Sequence, residues 1–374
     1  MNEMKSFWNC IISGVRKFST RHVAYICTII GLIISIVFIC VIWSQYSIGG
    51  DLDADDMAQT GQVGDFIGGI VGSIWALAGV FLYFSAIRLQ TKELASQARA
   101  EKESQYLNYV QQFETSYFKL LDNQQEIRIN TRGELPLIKN NLKNGFYLET
   151  QSLEGIDYFY HIKIVLFDLY NFYNRDKFNI SNDEYNELII NKKIKTRTEF
   201  QKYKKEARIN MTCQWLGIGE KTFNKFKSLT TEFDICKAVY FMFFLCFEQS
   251  IGHYCRHIYN IIKFVDLSKR NIQRFVMTSY EGEERKKKMN DINEKFDSYM
   301  AFLQSSLSTS ELILLFYNTF LYEKSRKLCV KYQLFENLQD SELIYEYHKN
   351  LIPGLKIRST FDLFEKAFYI KEGE

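Results

Sequence analysis

The sequence predicts an all-α membrane protein with a two-helix transmembrane hairpin, a long helical stalk and a helical cytoplasmic domain. Two uncharged apolar runs stand close together near the N-terminus. The chain has only 2 Pro in 374 residues, and it has 31 Phe and 24 Tyr against 4 Trp. Few helix breakers and many large apolar side chains favour long helices packed against one another.

The two apolar runs, residues 23–43 and 66–87, contain no charged side chain. A crossing helix needs about 20 apolar residues, because the hydrocarbon core of a bilayer is about 30 Å thick. Both runs are long enough, so the sequence predicts two transmembrane helices. Transporters and proton pumps usually place ionisable groups inside the membrane, and their absence disfavours those classes.

The charges beside the spans predict the orientation. Arg16, Lys17 and Arg21 precede the first span, and Arg88 and Lys92 follow the second. The connecting segment 44–65 contains five Asp and no Lys or Arg. Positively charged flanks stay in the cytoplasm. We therefore expect a multi-pass protein with both termini in the cytoplasm and an acidic outward-facing loop.

Two further membrane elements are predicted. Residues 1–22 have apolar side chains on one helical face and Lys5, Arg16 and Lys17 on the other, which indicates an amphipathic helix on the cytoplasmic leaflet or packed on the cytoplasmic domain. In the second span, Gly68, Gly72 and Ala76 recur every four residues. A face of small residues lets helices approach closely, within the hairpin or between copies of a homo-oligomer.

The remaining chain predicts a stalk over residues 88–130 and a cytoplasmic domain over residues 131–374. The stalk is polar on all sides until Tyr106, where an apolar stripe begins. The Gly- and Asn-containing segment 131–154 predicts an irregular connection, and we expect no strands. The apolar run 238–247 is too short to span a bilayer, so it predicts a buried core helix. Helices are expected near 156–173, 183–190, 196–216, 232–265, 289–306, 309–332 and 340–350.

The most unusual polar cluster is His253, Arg256 and His257, which stand at i, i+3 and i+4 and are expected on one helical face. Two His four residues apart could bind a metal, but Arg256 lies between them and no Glu follows the first. The open alternatives are a buried hydrogen-bonded cluster and a contact with an anion or a partner. No catalytic motif is recognisable, so we predict no catalytic residue, metal or cofactor.

A basic stretch over residues 192–208 includes Lys202, Lys204 and Lys205. A solvated helix face is the ordinary interpretation of such a stretch. The functional interpretation is contact with an acidic partner, nucleic acid or anionic lipid, of which the stalk favours the first two.

Five segments resemble, in order, blocks of the phage abortive-infection proteins of the AbiC type. They are residues 64–94, 111–124, 252–266, 303–320 and 331–338. The resemblance does not extend to about residues 130–230. It also departs at Gln304, where the family pattern has a basic residue, and this weakens an anion-binding role for that block.

The resemblance implies antiphage defence at the bacterial inner membrane, in which the infected cell is arrested or killed. Some two-span proteins of this kind act in retron systems, so a reverse transcriptase with its RNA–DNA product is one expected partner. Our hypothesis is an effector that perturbs the membrane on infection. The alternatives are a membrane-tethered nuclease or other toxic enzyme in the cytoplasmic domain, and a non-enzymatic scaffold that blocks the phage.

Overall fold

The computed structural model describes residues 20–45, 54–141, 145–174 and 197–361. These residues are mostly helical, and the chain divides into two compact units, Met1–Gln105 and Tyr106–Glu374. Most of the predicted amphipathic helix 1–22 and the helix predicted near 183–190 lie outside the described residues.

The first unit contains two long helices. Helix α1 is Thr20–Gln45, and helix α2 is Ala54–Asn130, which leaves the first unit after Gln105. They include the predicted spans 23–43 and 66–87. Helix α2 begins earlier than expected, because residues 54–65 of the predicted outward-facing loop are already helical.

Helices α1 and α2 contact one another at Gly31, where an added Cβ would lie within 3 Å of the Trp75 indole. Among the described residues of the first unit, the buried positions recur at seven-residue spacing, the spacing by which two helices pack along a seam. They are Ala24 and Gly31 in α1, and Val71, Ala78 and Ser85 in α2. The predicted packing residues Gly68, Gly72 and Ala76 are exposed, and an added Cβ at Gly68 or Gly72 would meet no atom within 4 Å. The small-residue face is therefore outside this contact.

The second unit begins with the end of α2 and continues through two strands and seven helices in its described part. They are β1 (Arg132–Asn141), β2 (Gly145–Glu154), α3 (Gly155–Tyr173), α4 (Arg197–Trp215), α5 (Glu220–Lys227), α6 (Glu232–Ser279), α7 (Gly282–Ser305), α8 (Thr309–Leu321) and α9 (Glu323–Lys331). Two 3-10 turns follow, Asp340–Glu342 and Glu346–Leu351.

The prediction of an irregular connection over 131–154, with no strands, is wrong. Strands β1 and β2 pair antiparallel, from Arg132 opposite Glu154 to Asn141 opposite Gly145, and contact α3 and α4. Pro136 is tolerated because both strands of a two-stranded sheet have a free edge. Gly155 ends β2 with a φ of 56°, a left-handed conformation that favours glycine, and starts α3.

The core of the second unit lies around α6 and α8. Every residue of α8 from Ser310 to Phe320 is buried, as expected of a helix surrounded by other helices. Helix α6 packs on α3, α7 and α8, and the predicted core run 238–247 forms its first third. Helix α6 continues to Ser279 instead of 265, α7 starts at Gly282 instead of 289, and the single helix predicted at 309–332 breaks at Tyr322.

Three described helices are long and apolar enough to cross a membrane. Their apolar segments are His22–Val41 in α1, Gly68–Asn130 in α2 and Glu232–Ser279, which is α6. The apolar windows of the first two are 11% and 17% buried, whereas that of α6 is 50% buried. Length and composition alone thus do not separate α6 from the two predicted spans.

Candidate functional site

The three predicted site residues of helix α6, His253, Arg256 and His257, line two different cavities. A rotation of about 100° per residue separates Arg256 from His257 around the helix. His253 and Arg256 are exposed, and His257 is half-buried. His253 and His257 line one cavity, and Arg256 lines another.

The histidine cavity, of about 600 Å³, is lined by His253 and His257, by Gln249 and Ser250, and by the end of α2 with Arg132. His257 Nε2 lies 3.0 Å from the carbonyl oxygen of Leu120. A carbonyl only accepts, so Nε2 carries the proton and joins α6 to α2. This hydrogen bond is a structural contact between the two helices. The imidazole of His253 has no hydrogen-bond partner within the described ranges.

The arginine cavity, of about 500 Å³, lies on the other side of α6 and is bounded by the junction between α8 and α9. Its cationic groups are Arg256 and Lys324, and its acidic group is Glu248. Phe244 and Tyr322 supply apolar wall. Gly252 is buried on the same side of α6, between Glu248 and Arg256.

A buried polar network that the sequence analysis missed lies between the two cavities and α8. Tyr254 donates to Glu311 Oε1 at 2.5 Å, and Gln124 Nε2 donates to the Tyr254 hydroxyl at 3.3 Å. Glu311 Oε2 accepts from the Ser308 backbone N–H at 2.7 Å and lies 3.9 Å from Arg128. The sequence feature that could have indicated Glu311 is the capping box that it forms with Ser308 at the start of α8.

Two buried amide atoms lack hydrogen-bond partners in the part of the chain that the structure describes: Gln124 Oε1 and Gln304 Nε2. Gln304 is the position at which the family pattern has a basic residue. Its side chain is only 7% exposed, so a cation there would need a buried acceptor. The glutamine places a neutral donor where the resemblance implied a charge.

A second buried cluster joins Glu232 and Cys236 of α6 to His348, and their ligand atoms lie within 4.8 Å of one another. His348 Nε2 lies 3.2 Å from Glu232 Oε1, and because a carboxylate accepts, Nε2 carries the proton and donates to it. The neutral imidazole then accepts at Nδ1 from the Tyr317 hydroxyl, which lies 2.8 Å away and also accepts from the Ile344 N–H. Both imidazole nitrogens are satisfied without a cation, so the arrangement is a structural network.

The sulfur of Cys236 does not alter that interpretation. It lies 3.9 Å and 4.0 Å from the two His348 nitrogens, and is therefore aligned with the lone pair of neither. Burial lowers the pKa of His348 to about 4, which keeps the imidazole neutral. No local pattern indicates this cluster, because His348 lies far along the chain from α6.

Helix α4 carries the described part of the predicted basic stretch. Lys202, Lys204 and Lys205 are exposed. Arg208, in contrast, makes two hydrogen bonds of 2.8 Å to the buried carboxylate of Asp168 and ties α4 to α3. The three lysines thus remain available at the surface, whereas Arg208 is held in the ion pair with Asp168.

Residues 247–343 match the model of a family described as "putative phage abortive infection protein". This match confirms the resemblance to the AbiC type for that part of the chain. The matched range includes the whole of α7 and of α8, which contains Glu311. It also includes all residues of α6 from Glu248 onward that line either cavity. No curated protein and no solved structure matches the chain.

Proposed function

We propose that this protein is a membrane-anchored effector of bacterial antiphage defence, which perturbs the inner membrane on infection and thereby arrests or kills the host cell. The family match over residues 247–343 supports the defence role. The observation that carries the membrane role is the low burial of the apolar windows of α1 and α2, 11% and 17%. Apolar helical surface of this length is stable when lipid covers it.

In this proposal α1 and α2 form a transmembrane hairpin with both termini in the cytoplasm. The basic residues before α1 and after Ile87 support that orientation, as does the purely acidic charge of the segment between the spans. The contact of Gly31 with Trp75 supports a close approach of the two helices. The second unit is the cytoplasmic part.

The proposed way to perturb the bilayer is association of several copies through α2. Gly68, Gly72 and Ala76 form an exposed face of small residues outside the contact between α1 and α2. In lipid, such faces support close helix packing. We infer that copies assemble along this face once the cytoplasmic part responds to infection.

Membrane potential in phage-infected cells tests the proposal, measured by dye fluorescence with the intact gene and with residues 1–87 deleted. We expect the potential to collapse before lysis only with the intact gene. If infection is blocked while the potential holds, the membrane role is excluded. A fragment 88–374 that is toxic by itself would instead favour the tethered-enzyme alternative, and protection without loss of host viability would favour the scaffold.

A matched pair of variants tests the role of the small-residue face. Gly72→Phe adds a ring to that face, and Leu77→Phe adds bulk about 140° away around the same helix. Both positions are exposed. We expect Gly72→Phe to delay the collapse of potential at least tenfold, and Leu77→Phe to behave like the unaltered protein. Equal behaviour of the two variants would contradict assembly along this face.

A further inference from the structure

The arginine cavity is an open cleft between α6 and the α8–α9 junction. It combines an apolar wall with three exposed charged groups that form no ion pair with one another. At about 500 Å³ it falls within the range of pockets that hold small molecules, roughly 300–1,000 Å³. Asn318 and Ser325 add polar groups at its α8–α9 side.

The charged groups are close together and yet do not neutralise one another. Glu248 Cγ and Arg256 Nη2 would lie 3.3 Å and 3.7 Å from a Cβ added at Gly252. No ion pair or hydrogen bond joins Glu248, Arg256 or Lys324 to another side chain in the described ranges. Glycine at position 252 thus lets two opposite charges lie near one another on the wall of the cleft without an ion pair, so both face a ligand in the cleft.

Tyr322 lines the cleft at its α8–α9 side and is 43% exposed. Partial burial raises the pKa of Tyr322; the charges of Cys255 and Glu248 act in the same direction and that of Arg256 in the opposite one. The ring of Tyr322 packs edge-on against Phe244, with the centroids 5.8 Å apart. An apolar surface thus adjoins the two opposite charges.

We propose that the arginine cavity binds a small amphoteric metabolite. Its anionic group lies against Arg256 and Lys324, its N–H donors lie against Glu248, and its apolar part lies against Phe244 and Tyr322. Charge-assisted hydrogen bonds at both ends provide the orientation, and the apolar contact provides much of the affinity. Two kinds of metabolite share this chemistry: free amino acids with large apolar side chains, and purine nucleotides with a phosphate and an exocyclic amine.

Binding to the purified full-length protein in detergent tests the proposal and distinguishes the two sources. Isothermal titration with L-phenylalanine and L-tyrosine forms one arm, and titration with AMP and GMP forms the other. Phenylacetate and phenylethylamine, which each lack one of the two charged groups, are the matched controls. We expect one arm to bind and each single-charge control to bind at least tenfold more weakly. Absence of binding in both arms would overturn the proposal.

Three variants assign the binding to this cavity. Arg256→Gln and Glu248→Gln each remove one charge, and we expect each to weaken binding at least tenfold. Lys263→Gln removes an exposed charge from the same helix outside the cavity, and should leave binding unchanged. Binding that survives both cavity variants overturns the proposal, as does equal weakening by Lys263→Gln. Far-UV circular dichroism confirms that each variant is folded.

This inference does not depend on the proposed function. It requires neither infection nor a membrane potential, so a failed titration leaves the effector proposal standing. Conversely, if the protein binds the metabolite but the membrane potential holds in infected cells, the binding site is supported and only the effector proposal fails. Where both hold, the cavity would provide a chemical input to the part of the chain that matches the abortive-infection family.

Discussion

Helix α6 and the predicted spans in α1 and α2 are similar in composition and differ in what surrounds them. All three helices are long and apolar enough to cross a membrane. Helix α6 buries Val239, Tyr240 and Phe243 almost completely, whereas Ile33 and Ile36 of α1 are each more than half exposed. Apolar composition shows that the surface of a helix has to be covered by something other than water. Only the spacing of charges and the tertiary contacts show whether that neighbour is protein or lipid.

The largest effect should come from removing the same side chain in the two regions. Phe243 is 0% exposed in the core, and Phe84 of α2 is 53% exposed. We expect Phe243→Ala to lower the free energy of unfolding of the second unit by about 3–5 kcal/mol, because it leaves a cavity. Phe84→Ala should change that free energy by less than about 0.5 kcal/mol. Amide hydrogen exchange in α8 measures both.

Similar losses from Phe243→Ala and Phe84→Ala would break the comparison, since the two regions would then depend on one shared core.

A charge inserted into each region should have the next largest effect. Ile33 lies in the middle of α1, and an arginine in the centre of a transmembrane helix costs about 2.5–3.5 kcal/mol of insertion free energy. Phe241 is 46% exposed on α6, where an arginine facing water should cost less than about 0.5 kcal/mol. We expect Ile33→Arg, and not Phe241→Arg, to increase the fraction of protein released from membranes by alkaline extraction. Equal release would show that α6 also lies in lipid.

Much of the helical architecture was predictable, because long helices have a period that a single sequence displays. The expected helices 156–173 and 196–216 agree with α3 and α4 within a residue or two at each end. The β-hairpin was missed because its strands lack alternating apolar residues and β1 contains Pro136. Its pairing depends on support from α3 and α4, which no local pattern records.

The candidate site was predictable only in part. The sequence indicated that one helix carries His253, Arg256 and His257, but not that they line two separate cavities. Their separation depends on which helices flank α6 on either side. Glu311 was recognisable as a capping residue. Its role as the acceptor for Tyr254 required the packing of α8 on α6, and so it could not be predicted from spacing.

The stability of the second unit should depend on pH in a way that the stability of the predicted spans does not. Neither residues 23–43 nor residues 66–87 contain an Asp, Glu, Lys, Arg or His. His348 is 0% exposed, and burial lowers its pKa to about 4 from an unfolded value near 6.5. The groups facing it are Glu232 and Cys236 of α6, Tyr317 of α8, Tyr170 of α3, and Tyr345 and Tyr347.

A folded-state pKa below the unfolded value means that the unfolded chain binds the proton more readily. The contribution of His348 to stability is therefore complete above about pH 6.5 and decreases as the pH falls toward 4. Asp340 does not interfere in this window: burial alone would raise its pKa, but hydrogen bonds from Lys349 and Thr360 outweigh burial and hold that pKa at about 2.

We expect the free energy of unfolding of the second unit to fall by about 2 kcal/mol between pH 7 and pH 5 because of His348. His348→Gln should reduce stability at pH 7 and remove most of this pH dependence, whereas His253→Gln, at an exposed position, should retain it. Urea unfolding followed by circular dichroism at the two pH values measures the difference. If all three proteins lose stability equally, the proton is taken up elsewhere, and the buried imidazole does not make the second unit acid-sensitive.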